Sequence, residues 1–293
     1  MTTQAEPLEV LDVLWESEMP DGDRLPVNKA DARAKLADRG QHRAAHLLDD
    51  LPVRRDGSLE EGPVDAIFLA VHLELARLSE FVHVPQRMAS SLTPIVERLR
   101  DEAGGTIRVV DVGCGIGFDT RVLAASGALG PDVEYVGLDF NSLLVDAAVR
   151  LARAEDIPVR FLHGDALDPS LAIDDPARTL MISSGVLHHI GREGLGEFFA
   201  RHQELEVAGF AHFDPSPGFW ASAGGWMLHR TRMREPISRH DGTMSMQRAF
   251  TAAELLEVAG ASVGDDYELE CEDVSRYVPQ PEKIVRPIVG RRR

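Results

Sequence analysis

Asp111-Val112-Gly113-Cys114-Gly115-Ile116-Gly117 sets three glycines at alternate positions behind a carboxylate, directly after the valine-rich run Ile107–Val112. Glycine tolerates positive φ and lets a ligand approach the backbone with no Cβ in the way. Such a loop between a strand and a helix suits a nucleotide-like ligand. A dinucleotide fingerprint needs Gly-x-Gly-x-x-Gly, and counting from Gly113 puts Phe118 at its third glycine, against a nicotinamide enzyme. Further along, Asp139 can accept from a ribose diol, and Asp165, flanked by Gly164 and Ala166, suits an exocyclic amine. Ser183 and Ser184 come next, then His188 and His189, whose ordinary pKa near neutrality suits proton transfer. Either histidine is also of a type that caps or packs a helix.

The elements that must position these groups alternate. Val133–Leu138 reads as a strand ending at Asp139, with Asn141 as N-cap of a helix through Ala154. Strands follow at Val159–Leu162, Thr179–Ser183 and within Val207–Phe213, with a helix over Leu195–Leu205. Thr251 to Glu254 is a capping box, and two tail strands fall near Tyr267–Cys271 and Ile284–Val289. Strand–helix alternation implies a mostly parallel sheet with helices on both faces. Ligands of such doubly wound sheets sit beyond the carboxyl ends of the strands, where Asp111, Asp139, Asp165 and the serines fall.

Before the first of these strands, residues 1–104 read as an N-terminal helical extension, and 105–293 as the ligand-binding domain. The extension should hold a short amphipathic helix over Leu8–Trp15, a turn over Glu18–Asp23 and a helix over Ala30–Leu51. His42 and His46 on that helix read as a solvated face, not a metal site. A linker over Arg54–Gly62 and an apolar helical stripe over Val64–Val82 come next. A further helix is expected to start with Thr93 as N-cap and Pro94 at its first position, stopping at Gly104-Gly105. Residues 215–250 are long for a connection and read as a lid insertion. They mix Phe219, Trp220, Trp226, Met227, Met233, Met244 and Met246 with His229, Arg230, Arg232, Arg234, His240 and Asp241, and Gly224-Gly225 could hinge them. Two readings stand: a lid in which Trp226, Arg230 and His240 meet a substrate, or a helix packing its Trp and Met into the core.

The 293 residues carry a net charge of −17, with 44% hydrophobic and 27% charged residues. That field repels phosphate backbones and acidic lipid surfaces, so neither nucleic acid nor membrane is the expected partner. Arg291-Arg292-Arg293, the dense basic run, reads as a solvated tail. Cys114 and Cys271 fit no metal spacing and read as free thiols. The first six residues lack the basic and apolar regions of a signal peptide, and the expectation is a cytoplasmic protein.

Four ordered motifs together resemble the class I S-adenosylmethionine-dependent methyltransferases. They are Val109 to Gly117, Gly137-Leu138-Asp139, Gly164-Asp165-Ala166 and Ser183 to Ile190. The resemblance implies a Rossmann-like sheet of seven strands, the last antiparallel. It implies that Gly113, Cys114, Gly115 and Gly117 line the cofactor's methionine and ribose, with Asp111 organising the loop or reaching its amino group. Asp139 would hold the ribose hydroxyls, Phe140 would pack on the adenine, and Asp165 with Ala166 would read the adenine edge. Ser183 and Ser184 would lie near the reactive end, and His189 or His188 at the acceptor. No Asn-Pro-Pro-Tyr-type motif follows the fourth strand, and the acidic metal ligands of catechol-type enzymes are not evident. The expectation is therefore metal-free methylation of an oxygen or nitrogen of a small organic molecule, plausible for specialised metabolism, in a chain that forms a homodimer or acts alone. The rivals are methylation of RNA or protein, and a cofactor-binding protein that transfers no methyl.

Overall fold

The computed structural model describes residues 6–18, 23–102, 104–217, 219–272 and 284–293. Residues 1–5, the centre of the turn expected at 18–23 and the side chains of Phe219 and Trp220 lie outside the described set. The chain begins with a 3-10 turn at Leu11–Val13, where a longer helix was expected. A small antiparallel ribbon follows, β1 (Glu16–Glu18) with β2 (Asp23–Leu25). The expected helix over 30–51 is two, α1 (Lys29–Ala37) and α2 (His42–His46). Gly40, at φ 74, takes the left-handed turn that separates them.

The long apolar stripe is α3 (Glu61–Phe81), followed by α4 (Val84–Glu102). The expected start at Thr93-Pro94 is not there, because α4 runs straight through Pro94. Thr93 Oγ1 donates to the Ala89 carbonyl at 2.8 Å. Met88, Leu92, Ile95, Val96 and Leu99 form one buried stripe on both sides of the proline, packed on Ile107, Val109, Leu180 and Ile182. Burial of several such side chains, at about 1.5–3 kcal/mol each, outweighs a proline penalty of about 3 kcal/mol. The helix is thus one face of the sheet's core.

β3 (Ile107–Val112) is buried at every residue, as its valine run requires. After it come α5 (Phe118–Ser126), β4 (Val133–Asp139), α6 (Ser142–Ala154), β5 (Val159–His163) and β6 (Thr179–Ser184). The chain continues through α7 (Leu187–Glu204), β7 (Gly209–Pro215), α8 (Phe219–Arg232), α9 (Pro236–Arg248), α10 (Ala252–Val263), β8 (Tyr267–Cys271) and β9 (Val285–Arg292). α7 starts earlier than expected and breaks at Gly191, φ 72 and ψ 175. Strand order is β5-β4-β3-β6-β7-β9-β8, with β9 antiparallel to both neighbours and β3 to β7 parallel. This is the doubly wound, mostly parallel seven-stranded sheet. Its second face buries Val110, Val112 and Met181 under Leu195, Phe198, Phe199, Leu255 and Ala259.

Arg291 and Arg292 are no solvated tail, since they belong to β9 and pair with Glu270 at 2.9 Å and Glu206 at 2.6 Å. A third core joins the N-terminal part to the sheet: Val10, Leu14, Trp15, Leu36, Phe68 and Val71 pack with Ile116, Leu144 and Ile237. No helix among the described residues is long and apolar enough to cross a membrane.

Candidate functional site

Gly113, Gly115 and Gly117 have φ of 69, 55 and 68, so the loop winds through the left-handed region at each glycine. A Cβ on Gly117 would lie 2.3 Å from the Phe161 ring, and one on Gly115 2.9 Å from the His72 ring. The Gly113 and Cys114 amides donate to the Leu138 carbonyl at 2.7 and 3.0 Å, and the Gly115 amide to Asp139 Oδ2 at 2.7 Å. Asp139 Oδ1 accepts from the Asn141 amide at 2.9 Å. Burial pushes Asp139 up, opposed by those two amides. One N–H on each oxygen leaves lone pairs facing the cavity, and that suits a diol.

The cavity has a volume of about 600 Å3, in the range of small-ligand sites. Cys114, Gly115, Asp139, Phe140, Asp165, Ala166 and Ser184 line it, as does Gly113. Phe140 is half exposed, and its free ring face can stack on a base. Asp165 Oδ1 caps the Leu167 amide at 2.9 Å. Burial pushes the Cys114 thiol well above its usual value, so it stays protonated. Asp119, at the start of α5, also faces the cavity, and burial lifts it to about 6 against hydrogen bonds from Ser79 and Ser184.

Other expected residues lie elsewhere. Asp111 does not line the cavity: it accepts from Thr120 Oγ1 at 2.5 Å, and burial lifts it to about 8. It therefore ties β3 to α5, which leaves the loop-organising role and removes the contact with a cofactor amino group. Gly117 packs under Phe161, and a Cβ on Gly164 would meet Leu138 and Leu171 at 2.7 and 2.8 Å, so both serve packing. Ser183 points to the opposite side of the strand from Ser184, where its hydroxyl meets His212 Nδ1 at 2.9 Å. Trp226 is 53% exposed and carries Arg230 over its ring at 5.7 Å, outside the cavity. His240 Nδ1 pairs with Asp241 at 2.8 Å and is likewise not in the wall. Gly225 is no hinge, because it lies within α8 under Met246.

The insertion at 215–250 still reaches the cavity through His229, Asp241 and Met246 of the mixed stretch, together with Ser238, Gly242 and Ser245. α8 and α9 pack so closely that a Cβ on Gly242 would lie 2.1 Å from the His229 ring. The N-terminal segment closes the same space with Glu9, Leu11, Asp12 and Trp15, and α3 adds Phe68 and His72. His72 Nδ1–H donates to the Phe68 carbonyl at 2.8 Å, and burial lowers its pKa, so a neutral ring turns its other nitrogen to the cavity. The one early hint of the N-terminal contribution was the apolar Leu8–Trp15 pattern; no spacing rule marked Glu9.

His188 and His189 lie side by side, ring centroids 4.3 Å apart. Burial disfavours charge on His188, yet Asp214 and Glu9 hold it protonated, raised to about 10. An imidazolium cannot accept a proton, so His188 does not stand as a general base. His189 is partly exposed, with Nδ1 3.3 Å from Asp12 and Nε2 3.6 Å from Glu9. His188 Nε2, His229 Nδ1 and Ser238 Oγ are buried without hydrogen-bond partners, and all three residues line the cavity.

Residues 109–205 match the family model described as a methyltransferase domain. No curated protein sequence matches the chain. Among solved structures, the fold is similar to the plantazolicin methyltransferase BamL in complex with a triazolic desmethylPZN analog and SAH. That likeness has 10% identity and TM-score 0.53, over 78% of this chain and 97% of that one. Magnesium protoporphyrin IX methyltransferase (ChlM) from Synechocystis PCC 6803, with bound SAH, aligns at 14% identity and TM-score 0.48, over 91% and 100%. The matched segment runs from β3 to the end of α7 and contains the glycine loop, the acid that ends β4 and the acid that follows β5. Residues 109–205 thus form a methyltransferase domain, and the sheet that carries it has the fold of the class I S-adenosylmethionine-dependent methyltransferases.

Proposed function

We propose that the protein transfers the methyl group of S-adenosylmethionine to an oxygen or nitrogen of a small organic acceptor bound in the same cavity. One observation carries the reading: one cavity is lined by two chemically different groups of residues. Asp139, His72 and Gly115 form one end, with acceptor atoms for a ribose diol and a backbone that admits close approach. Asp165 and Ala166 face the adenine edge and Phe140 its plane, while Asp119 offers a carboxylate to an amino group. The other end presents the unpaired polar atoms of His188, His229 and Ser238. Buried polar atoms without partners mark where a polar ligand completes the hydrogen bonding.

S-Adenosylmethionine, when bound, supplies an already activated methyl on its sulfonium. The protein's part is then orientation and exclusion of water. The N-terminal segment and α8–α9 enclose the acceptor end, which suits a small molecule better than a polymer. Incubation with radiolabelled S-adenosylmethionine and a cell extract, followed by size fractionation, tests this. Label should appear in the low-mass fraction together with S-adenosylhomocysteine. Label confined to RNA or protein would overturn the acceptor class, and no label with intact cofactor binding would remove the transfer itself.

A further inference from the structure

Glu9, His188 and His189 each bring one ligand atom to within 4.8 Å of the others. Glu9 Oε1 is 3.4 Å from His188 Nε2, and Glu9 Oε2 is 3.6 Å from His189 Nε2. Both distances exceed a good hydrogen bond. His188 is 3% exposed, and its Nε2 has no hydrogen-bond partner. Bonds of about 2.0–2.1 Å to a tetrahedral ion would place neighbouring ligand atoms about 3.3 Å apart, close to what is seen.

The rings are also held as ligands are held. His188 Nδ1 is 3.0 Å from Asp214, and His189 Nδ1 is 3.3 Å from Asp12. A carboxylate on the outer nitrogen fixes the tautomer and turns the Nε2 lone pair inward. We propose that Glu9, His188 and His189 bind a first-row divalent transition-metal ion at the acceptor end of the cavity. Two imidazoles and one carboxylate suit zinc, cobalt or ferrous iron better than magnesium or calcium, which prefer oxygen.

Charge supports the same position. Glu9 and Asp12 share one guanidinium, Arg248, whose Nη1 is 2.6 Å from Asp12 and 3.9 Å from Glu9, and Asp214 adds a third carboxylate beside His188. Asp241 is paired separately with His240. A dication that displaces the His188 proton and sits between two neutral imidazoles brings the three carboxylates and Arg248 to a net charge of zero. Three protein ligands leave coordination positions open to the cavity, where a hydroxyl or carboxylate of the acceptor can be held. That role rests on the small-acceptor reading; the site itself does not. This proposal departs from the expectation of a metal-free enzyme.

The test uses the full chain, stripped by chelator and titrated with Co2+ under anaerobic conditions. One equivalent should bind, with visible d–d absorption that Zn2+ abolishes by displacement. Glu9→Gln and His189→Gln should each weaken Co2+ binding at least 100-fold, and Asp12→Asn by about 10–100-fold. His42→Gln, on a distant helix, should bind as the wild type does. Absence of stoichiometric d–d bands in the wild type would overturn the site, as would unchanged binding in His189→Gln. Because His189 is partly exposed, that variant decides the matter if Glu9→Gln loses its circular dichroism. Calorimetry with S-adenosylhomocysteine on the stripped protein tests the cofactor end alone, so the two readings fail separately.

Discussion

The Gly115 amide donates to Asp139 Oδ2 at 2.7 Å, so the glycine loop after β3 and the acid ending β4 form one hydrogen-bonded unit. Replacing the acid removes an acceptor for a ligand diol and releases the loop at once. Asp139→Ala should weaken S-adenosylhomocysteine binding by more than ten-fold, with far-ultraviolet circular dichroism preserved. Equal calorimetric affinities for variant and wild type would remove Asp139 from the cofactor site.

Gly117 combines φ of 68 with the Phe161 ring directly over it. A methyl group there meets both backbone strain, about 1–2 kcal/mol, and overpacking, about 1–3 kcal/mol. Gly117→Ala should therefore lose roughly 2–5 kcal/mol of unfolding free energy in urea. A loss below about 1 kcal/mol would show that the Phe161 ring moves aside freely.

Ser183, His212 and His202 form a buried chain that is complete only when both rings are neutral. Ser183 Oγ–H meets His212 Nδ1 at 2.9 Å, the two Nε2 atoms share a proton at 2.9 Å, and His202 Nδ1–H meets the Phe198 carbonyl at 2.7 Å. Burial depresses His202 to about 4 and His212 well below its usual value. Unfolded histidines titrate near 6.5, so between about pH 6.5 and 4 the unfolded chain binds more protons than the folded one. Stability from this pair is full above that window and is lost as pH falls through it, by about 3 kcal/mol for His202 alone. Calorimetric Tm should drop from pH 7 to pH 5, and less so in a His202→Gln/His212→Gln double variant. Equal slopes in both proteins would refute the assignment.

Asp241 accepts the Val10 amide at 2.7 Å and the Leu11 amide at 3.1 Å, which pins the N-terminal segment to α9. Asp241→Ala leaves the buried Val10 donor without a partner, a loss of about 1–3 kcal/mol. The variant should also show faster proteolysis near residue 10 in a limited trypsin or chymotrypsin time course. Digestion at the wild-type rate would mean that apolar packing of Val10 and Leu14 holds the segment by itself.

Met246 and Trp226 separate the two faces of the insertion. Met246 lines the cavity whereas Trp226 lies in solvent. Met246→Trp should raise the acceptor KM several-fold or more, and Trp226→Ala should leave it within two-fold. The reverse ranking would return the acceptor contact to Trp226.

Alternation of strands and helices was legible because each parallel strand is a buried apolar run closed by a polar residue, and Asp139 and Asp165 stand where those runs stop. Side-chain facing was less legible. Ser183 and Ser184 are chemically the same, and only the strand's two-residue period, fixed by neighbours, decides that Ser184 meets the cavity. Proline chemistry misplaced the start of α4, since a stripe buried on a sheet formed later in the chain outweighs the local rule. In 215–250 Trp226 is the residue whose type suggests a substrate contact, while Gly242 and Ser245, ordinary by type, form the wall beside Met246. Glu9 had no local signal at all, because its partners lie in α7 and α9.

The hydrogen bond from Val10 to Asp241 spans 231 positions of chain. During synthesis the N-terminal segment leaves the ribosome long before its partner exists, and Glu9 waits equally for His188. The five parallel strands and the glycine loop can assemble on their own schedule, but the wall that encloses the acceptor closes only after α9 has emerged. A nascent chain halted before residue 241 would thus carry the methyl-donor half of its pocket and leave the other half open to water.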